Sequence, residues 1–557
     1  VITITHVPSG TTKTTVVNDS GHFSAKGLRV GGPYSVKVDS NQFQDRTVED
    51  VFLNLGEGFS LNLALENDQN IESIVVTASA VSTSAFGGTG PSANFNLADL
   101  ENAPSINRDI NDVIRADPRI YIDESFNDAV QCAGASPRNN SLTLDGVRMN
   151  DGFGLNSNGY PTERMPFSFD AIDQVAVELA PFDVQYGGFT ACNINAVTKS
   201  GTNEVHGSVF YDFTSDSFKG DSVEGEEQDN GNYTEKRYGV NVGFPLIKDT
   251  LFFFGSYEKV EGVQLFGYDA LGRVTQDEVD QVTEIAQRVY DYDVGGMPGS
   301  APIEDEKILI KLDWNINDQH RASLMYNWND GFSLSQSDSG SSNLSLSNHF
   351  YERGAELTNT VISIYSDWTD NFSTELRIGQ SELLNRQNSL DAASGFAEAR
   401  IGTASGNIYI GPDDSRQSNE LNYDTDTFKL AATYYLDDHK ITGGIEYEKL
   451  DVFNLFMQHT VGEYRFGSIA DFEAGTPFRV EYNNSAGTNN PADAGASFAN
   501  TTTTLYIQDD FDLTDDVQLM VGLRYDKYST DDTPTLNVNF QNRYGFANTG
   551  TVDGISL

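Results

Sequence analysis

From residue 204 onward the chain repeats one unit: two long runs of alternating apolar and polar residues joined by a tight polar turn. The turns are Phe244-Pro245-Leu246-Ile247-Lys248-Asp249, Trp314-Asn315-Ile316-Asn317-Asp318-Gln319-His320, Trp368-Thr369-Asp370-Asn371-Phe372, Leu436-Asp437-Asp438-His439 and Phe511-Asp512-Leu513-Thr514-Asp515-Asp516. Between successive pairs lie long stretches rich in Gly, Asn, Ser and Asp, at about 215–235, 261–305, 330–353, 385–425 and 453–500. A period of two sends successive side chains to opposite faces of a strand. Short turns at one end and long loops at the other are the asymmetry of an antiparallel barrel that crosses a membrane. In the last pair Val517, Leu519, Val521, Leu523 and Tyr525 share one face, with Gln518, Gly522, Arg524 and Asp526 on the other. Such runs supply the roughly 9–11 residues a tilted spanning strand needs. Trp314, Trp328, Trp368, Tyr434 and Tyr435, placed near strand ends, suit interfacial girdles. Any single pair also fits a soluble meander, but five pairs with one-sided loops argue against it. About eleven strands are expected by residue 528, and an open edge cannot face lipid.

Composition narrows the functions. Lys and Arg number 35 against 82 Asp and Glu, a net charge of −47, which is unsuited to nucleic acid. It suits solvated loops at a cell surface. No run of roughly 18 uncharged apolar residues is present, so no membrane-spanning helix is expected. Mean hydropathy of −0.40 leaves a barrel open, because lumen-facing residues dilute the signal. Val1-Ile2-Thr3-Ile4-Thr5 opens inside a strand-like run, and no signal peptide is visible, so further sequence ahead of Val1 is expected.

Residues 1–66 read as short strands: Thr12–Val17, Pro33–Val38 and Phe52–Leu65, with a turn at Gly21-His22-Phe23-Ser24. A polar linker, 67–70, precedes Ile71-Glu72-Ser73-Ile74-Val75-Val76-Thr77-Ala78, a β-branched run that can add as a strand to the edge of a partner sheet. An ordinary domain strand is the plainer reading. Gly88-Thr89-Gly90-Pro91-Ser92-Ala93 fits a dinucleotide fingerprint by letter, but Pro91 and the lack of a following helix spoil the context. Pro104-Ser105 is expected to start a helix capped by Ser105, with Ile106, Ile110, Val113 and Ile114 on one face. Arg119-Ile120-Tyr121-Ile122 returns to strand.

The run Cys132–Phe213 hands a small mixed domain over to the all-β body. Leu142-Thr143-Leu144 and Val147-Arg148-Met149 flank Asp145-Gly146, a strong two-residue hairpin signal. Val175, Val177 and Leu179 mark another strand, and Asn193–Thr198 one more, broken by Lys199-Ser200-Gly201-Thr202-Asn203. IDQVAVELAPFDVQYGGFTACNINAVTKSGTNEVHGSVFYDF closely resembles the end of the plug and the first barrel strand of TonB-dependent outer-membrane receptors, with the Oar-type subgroup nearest. SGHFSAKGLRVGGPYSVKVDS resembles the carboxypeptidase-regulatory or transthyretin-like β-sandwich, and INRDINDVIRADPRIYID resembles the plug's helix–strand unit.

The resemblance implies a mainly β protein in four parts. These are a β-sandwich at 1–66, a TonB-box-like segment at 71–80, a small α+β plug at 81–203, and part of a 22-stranded transmembrane barrel at 204–557. It implies outer-membrane lipid and TonB as partners, an extracellular substrate of unspecified class, and a periplasmic plug and N-terminal domain. TonB would take Ser73, Ile74, Val75, Val76, Thr77 and Ala78. The plug motif carries over onto Asp145, Gly146, Tyr186, Gly187, Gly188, Lys199 and Gly201. With 22 strands expected, the chain reads as cut at both ends, leaving an open half-barrel wrapped around the plug.

Cys132 and Cys192 both fall in the plug. A bridge across 60 residues would contribute about 4 kcal/mol by loop-closure arithmetic, and two buried thiols are the alternative. No catalytic residue, cofactor or metal ligand is expected: the seven His are scattered, without HExxH or a Cys/His cluster. The acidic loop 221–235 fails the calcium-loop pattern, because counting from Gly231 as position six puts Arg237 at position twelve. An active importer energised by TonB is the favoured function. A surface adhesin or secretion-related protein of the same fold is the alternative. An enzyme is disfavoured, since only the regulatory module of carboxypeptidases is resembled.

Overall fold

The computed structural model describes residues 1–17, 21, 23, 25, 27–55, 59, 61–65, 75–77 (backbone only), 91–124, 128–220, 222–223, 225–227, 231–436, 439–514, 517–533, 536–547, 551–552 and 555–556. Residues 221, 224 and 228–230 of the acidic loop, and the glycine-rich stretch up to Gly90, lie outside them.

The N-terminal domain is one five-stranded sheet, ordered β2-β1-β3-β4-β5, from β1 (Ile2–His6), β2 (Thr11–Thr15), β3 (Gly31–Val38), β4 (Arg46–Leu53) and β5 (Val75–Thr77). Ile2, Ile4, Tyr34, Val36, Val38, Val48 and Val51 point to its core, every second residue along β1. Its second layer, among the described residues, is irregular chain: Phe23, Leu28, Leu61, Leu63 and Leu65 pack on that face. The expected strand Phe52–Leu65 is therefore corrected. Strand ends at Leu53, and the later leucines cover the core without joining the sheet.

The plug domain holds a second five-stranded sheet. Its strands are β6 (Ser92–Phe95), β9 (Ser141–Leu144), β10 (Val147–Arg148), β11 (Ile172–Leu179) and β12 (Cys192–Thr198), in the order β10-β9-β12-β11-β6. β7 (Ile120–Asp123) and β8 (Ala129–Cys132) form a separate hairpin. Asp145 and Gly146 turn between β9 and β10 with φ of 47° and 80°, the left-handed pair a type I′ hairpin requires. The helix expected from Ser105 is corrected. α1 (Leu97–Asn102) and α2 (Ile110–Ile114) flank that point, Asp109 caps α2, and Ile106 is 92% exposed. Ser105 instead donates from Oγ to Asp112 and accepts from the Asp109 N–H, an arrangement that competes with continuing the helix backward.

Eleven strands then pair consecutively and antiparallel. They are β13 (His206–Ser215), β14 (Thr234–Ile247), β15 (Leu251–Leu265), β16 (Ser300–Asn315), β17 (His320–Ser335), β18 (Tyr351–Thr369), β19 (Phe372–Ser389), β20 (Asn419–Leu436), β21 (His439–Phe456), β22 (Ala496–Thr514) and β23 (Val517–Ser529). Among the described residues β13 and β23 each have one neighbour, so the sheet is open. Val209, Ile310, Ile362, Ile378, Leu430, Leu505 and Leu523 lie exposed on the outer face, an apolar band where lipid would sit. Trp314, Trp368 and Tyr434 are exposed beside the short turns. Trp328 departs from the girdle expectation: it sits mid-strand and donates from Nε1 to Glu356 at 3.0 Å.

The long connections are not simple loops. Four of them, between β15 and β16, β17 and β18, β19 and β20, and β21 and β22, fold together into a cap over the long-loop rim. Helix α3 (Gln276–Tyr290) buries Val279, Val282, Ile285 and Ala286 against Leu344, Leu346, Ile401, Ile408, Ile410, Phe466 and Phe472. A five-stranded sheet (Asn343–Ser345, Asn407–Ile410, Glu398–Gly402, Glu463–Phe466, Arg479–Glu481) completes it. Thr275 and Glu278 form a capping box at the start of α3, a Thr-x-x-Glu signal that was present in the sequence.

Candidate functional site

The site is the plug with the surfaces that hold it: the concave face of the barrel sheet and, at the short-turn rim, the N-terminal domain. An apolar seam joins plug and wall, where Val147, Ile194 and Phe167 share a core with Phe254, Leu309, Met325, Val361 and Val452. Around that seam the contacts are charged or hydrogen-bonded. Asp145 accepts from the Thr198 N–H at 2.9 Å and from Thr198 Oγ1 at 2.7 Å, which fixes the hairpin to β12. Lys311, reaching inward from β16, lies 3.2 Å from Asp145 Oδ2 and donates to Thr198 Oγ1 at 2.8 Å. Arg377 on β19 donates to Gly146 O at 3.1 Å. Higher in the lumen Ser168 donates to Glu258 at 2.8 Å, Asn327 donates to Pro166 O at 3.0 Å, and Arg353 pairs with Glu163 at 2.9 Å.

The structure brings the expected plug-motif residues into two groups. Tyr186 donates its hydroxyl to Glu178 at 2.8 Å, while Asn193 donates to the other carboxylate oxygen at 2.9 Å. Gly187 and Gly188 follow, and Arg148 donates to Gly187 O. A side chain on Gly187 would collide with Arg524, and one on Gly188 with Arg148. Arg524, from the last barrel strand, donates to Val184 O at 3.0 Å and Gln185 O at 3.3 Å. Asp145, Gly146, Lys199 and Gly201 form the second group, toward the short-turn rim. There the Lys199 N–H donates to Ala171 O at 2.7 Å, and its ammonium lies 3.9 Å from Glu101. A Cβ on Gly201 would meet the carbonyls of Phe253 and Phe244, so only glycine lets the chain leave the plug this close to the wall. Cys132 and Cys192 form a disulfide with Cα atoms 6.0 Å apart, tying the β7–β8 hairpin to β12.

Sequence reading missed the barrel-side partners Lys311, Arg377, Arg353 and Arg524. Their signal was available as a basic residue on the lumen-facing register of an otherwise apolar strand, as in Ile310-Lys311-Leu312.

At the short-turn rim a cavity of about 780 Å³ separates plug, wall and N-terminal domain, lined among others by Arg29, Asp145, Asp173, Lys199, Lys311 and Arg321. The domain is held there by Lys13–Asp367 (2.6 Å), by Arg29 donating to Asn315 (3.3 Å), and by the Asn203 N–H donating to Pro8 O (2.8 Å). In the 73–78 segment Ser73, Ile74 and Ala78 lie outside the described residues. The backbone of Val75–Thr77 pairs in parallel with Thr47–Glu49 at the sheet edge.

Burial pushes the Asp173 carboxyl up to about 6, against the pull of Lys199 and Lys311. A carboxyl raised this way favours the fold most when protonated. Its contribution is full below the ordinary carboxylate value and lost as pH rises through about 6. Asp173→Asn is therefore expected to stabilise the plug at pH 7.5 by on the order of 2 kcal/mol and to leave stability at pH 4 nearly unchanged. Urea midpoints of wild type and variant across that range measure it, and a pH-independent difference would contradict the assignment.

Residues 197–266 and 291–554, more than half of the chain, match the outer membrane beta barrel domain family, and residues 1–66 match the carboxypeptidase regulatory-like domain. The TonB-dependent transporter Oar of Myxococcus xanthus is 27% identical over 223 residues, 37% of this chain and 19% of that protein. A probable TonB-dependent siderophore receptor, PirA of Acinetobacter baumannii, is 26% identical over 248 residues, 41% of this chain and 28% of its own length. Among solved structures the outer-membrane transporter YddB of Escherichia coli superimposes with a TM-score of 0.57 at 14% identity, over 78% of this chain and 56% of that one. The chain thus spans less than a third of the curated relatives it matches. With its plug seated against an antiparallel wall behind a regulatory-like domain, the chain belongs to the outer-membrane β-barrel family and is similar to Oar-like TonB-dependent receptors.

Proposed function

We propose that the protein is an outer-membrane transporter that takes up a substrate at the capped, long-loop rim and admits it when TonB pulls on residues 73–78 and the plug shifts. The observation that carries this reading is the pairing of Val75–Thr77 with an exposed sheet edge just ahead of the plug. A segment that satisfies its backbone groups by strand addition within the chain has the chemistry to do so on a partner sheet. The wall contacts agree with a plug that moves. They are mostly ion pairs and hydrogen bonds, which water can replace as they break, and they surround a limited apolar seam. Mechanical work enters through the partner, and the plug motif residues transmit it: Asp145, Gly146, Lys199 and Gly201 lie at the end nearest the pull, Tyr186, Gly187 and Gly188 beyond.

An uptake panel tests the proposal. Cells carrying the receptor are offered labelled ferric siderophores, oligosaccharides and peptides, with and without a functional inner-membrane energising complex. At least one probe is expected to accumulate only when both receptor and complex are present. Surface binding without energised accumulation of any probe would instead favour an adhesin.

A further inference from the structure

The histidines, scattered in sequence, are not all scattered in space. On the cap, away from the plug, Asp338, His349, Glu398 and Asp413 converge so that one donor atom from each lies within 4.8 Å of every other. Asp414, His459 and Glu463 converge in the same way beside them. Asp413 and Asp414 are consecutive, and the Asp414 N–H donates to Glu398 at 2.7 Å, which links the groups. The residues come from three different connections, at 336–350, 390–418 and 457–495.

We propose that this cluster is a divalent transition-metal site of the zinc class, which staples the three connections of the cap together. The four-residue set forms a closed position, and Asp414, His459 and Glu463 form a second position with room for one more ligand.

His349 is fully buried, and Glu398 and Asp413 are 2% and 1% exposed. His349 Nδ1 lies 2.8 Å from Gly411 O. A carbonyl only accepts, so Nδ1 holds the proton and Nε2 is turned toward Asp338 Oδ2 at 3.0 Å. A backbone carbonyl that fixes the tautomer and aims the other nitrogen at a carboxylate is the outer-shell arrangement of a metal-ligating histidine. In the second set His459 is 8% exposed and its Nδ1 has no hydrogen-bond partner, yet it faces Asp414 Oδ2 at 3.1 Å and Glu463 Oε2 at 3.7 Å. A buried nitrogen aimed between two carboxylates with no hydrogen bond is costly unless something else satisfies it.

The spacing fits the ion. Two ligand atoms each roughly 2.0–2.1 Å from a tetrahedral zinc stand about 3.3 Å apart; three of the histidine–carboxylate separations here are 3.0, 3.1 and 3.7 Å, and all donor pairs lie within 4.8 Å. Charge argues the same way. With His349 neutral, as a metal ligand must be, Asp338, Glu398 and Asp413 together need more positive charge than the Arg416 guanidinium, 3.4 Å from Asp413, supplies. Arg465 does pair with Glu463, at 2.9 Å, and a metal there would share that carboxylate with it. One imidazole per set beside hard oxygens selects zinc-class ions over calcium, which takes oxygen alone.

The test uses the full chain, purified in detergent, stripped with chelator, loaded with zinc chloride and passed through a desalting column before elemental analysis. Wild type is expected to retain two zinc ions, His349→Gln one and His459→Gln one. Competition with a chromophoric chelator should show at least a 10- to 100-fold weaker affinity at the altered position, the loss that even an outer-shell change produces. Zinc should also slow proteolysis of the cap connections in wild type but not in the double variant, a readout that separates metal loss from misfolding. Retention of one ion, dependent on His349 alone, would keep the four-residue position and overturn the second. No retained zinc, zinc unaffected by both substitutions, or calcium retained in its place would overturn the proposal and leave His349 as an imidazolium paired with Asp338.

Discussion

Val76→Pro should abolish capture of the receptor by the purified periplasmic domain of TonB, and energised uptake with it, while leaving the plug and barrel folded. Strand addition rests on main-chain N–H and C=O groups, and proline removes the donor at the centre of the segment and fixes φ. Val76 pairs with Val48 at the midpoint of β5, so the same substitution should also release the segment from the N-terminal sheet. Release alone would raise capture, because the segment would no longer be occupied; loss of the strand-forming donor would lower it. The two effects separate by experiment. Val48→Pro, on the other strand, should weaken the internal pairing without touching the segment, and capture should rise or hold. Val76→Pro should bring capture to background, more than about tenfold below wild type if several main-chain bonds are lost at about 1 kcal/mol each. Wild-type capture by Val76→Pro would remove residues 73–78 from the mechanism, whatever the uptake panel shows.

Much of this architecture was legible before any coordinates. The eleven barrel strands and their five short turns follow from alternation alone, because each strand has one face toward lipid and one toward a polar interior. The Asp145-Gly146 hairpin was equally clear, since that dipeptide supplies both positive φ values itself. What the sequence hid was tertiary. The cap connections are rich in Gly, Asn, Ser and Asp, and only when four of them stack do Val279, Ile401, Ile408 and Phe472 find one another. The periodicity of α3 was local and readable; the core it serves was not. The helix expected at Ser105 failed for a different reason. Ile106 keeps the right spacing, but the hydrogen bonds of Ser105 with Asp109 and Asp112 favour a turn over another helical residue. For the candidate site, the plug side was visible as a motif and the wall side was not. A lone lysine among isoleucine and leucine has no partner in sequence, and Lys311 acquires one only when the plug is seated.

Lys311→Met is expected to loosen the plug by roughly 3–5 kcal/mol, the usual result of removing one member of a buried pair. The side chains of Lys311 and Asp145 are 8% and 14% exposed, so bulk water screens the pair poorly. Methionine keeps most of the volume and takes away the charge, which leaves Asp145 ionised with only its two Thr198 hydrogen bonds. The lysine's own bonds to Thr198 O and Oγ1 go as well, so the β12 end and the hairpin lose their common anchor to β16. Hydrogen exchange should locate the change, with protection falling across 141–149 and 192–198 and holding in the β7–β8 hairpin, whose strands pair with each other and not with β12. Asp145→Asn on the Lys311→Met background removes the stranded charge and should recover stability to within about 1 kcal/mol of wild type, since absence of both charges costs far less than absence of one. The loosened single variant should also pass small solutes without TonB, because the plug would already be part-way released. A single variant within about 1 kcal/mol of wild type, or a double variant no better than the single, would mean the pair does not anchor the plug, and the apolar seam around Val147 and Phe254 would have to hold it instead.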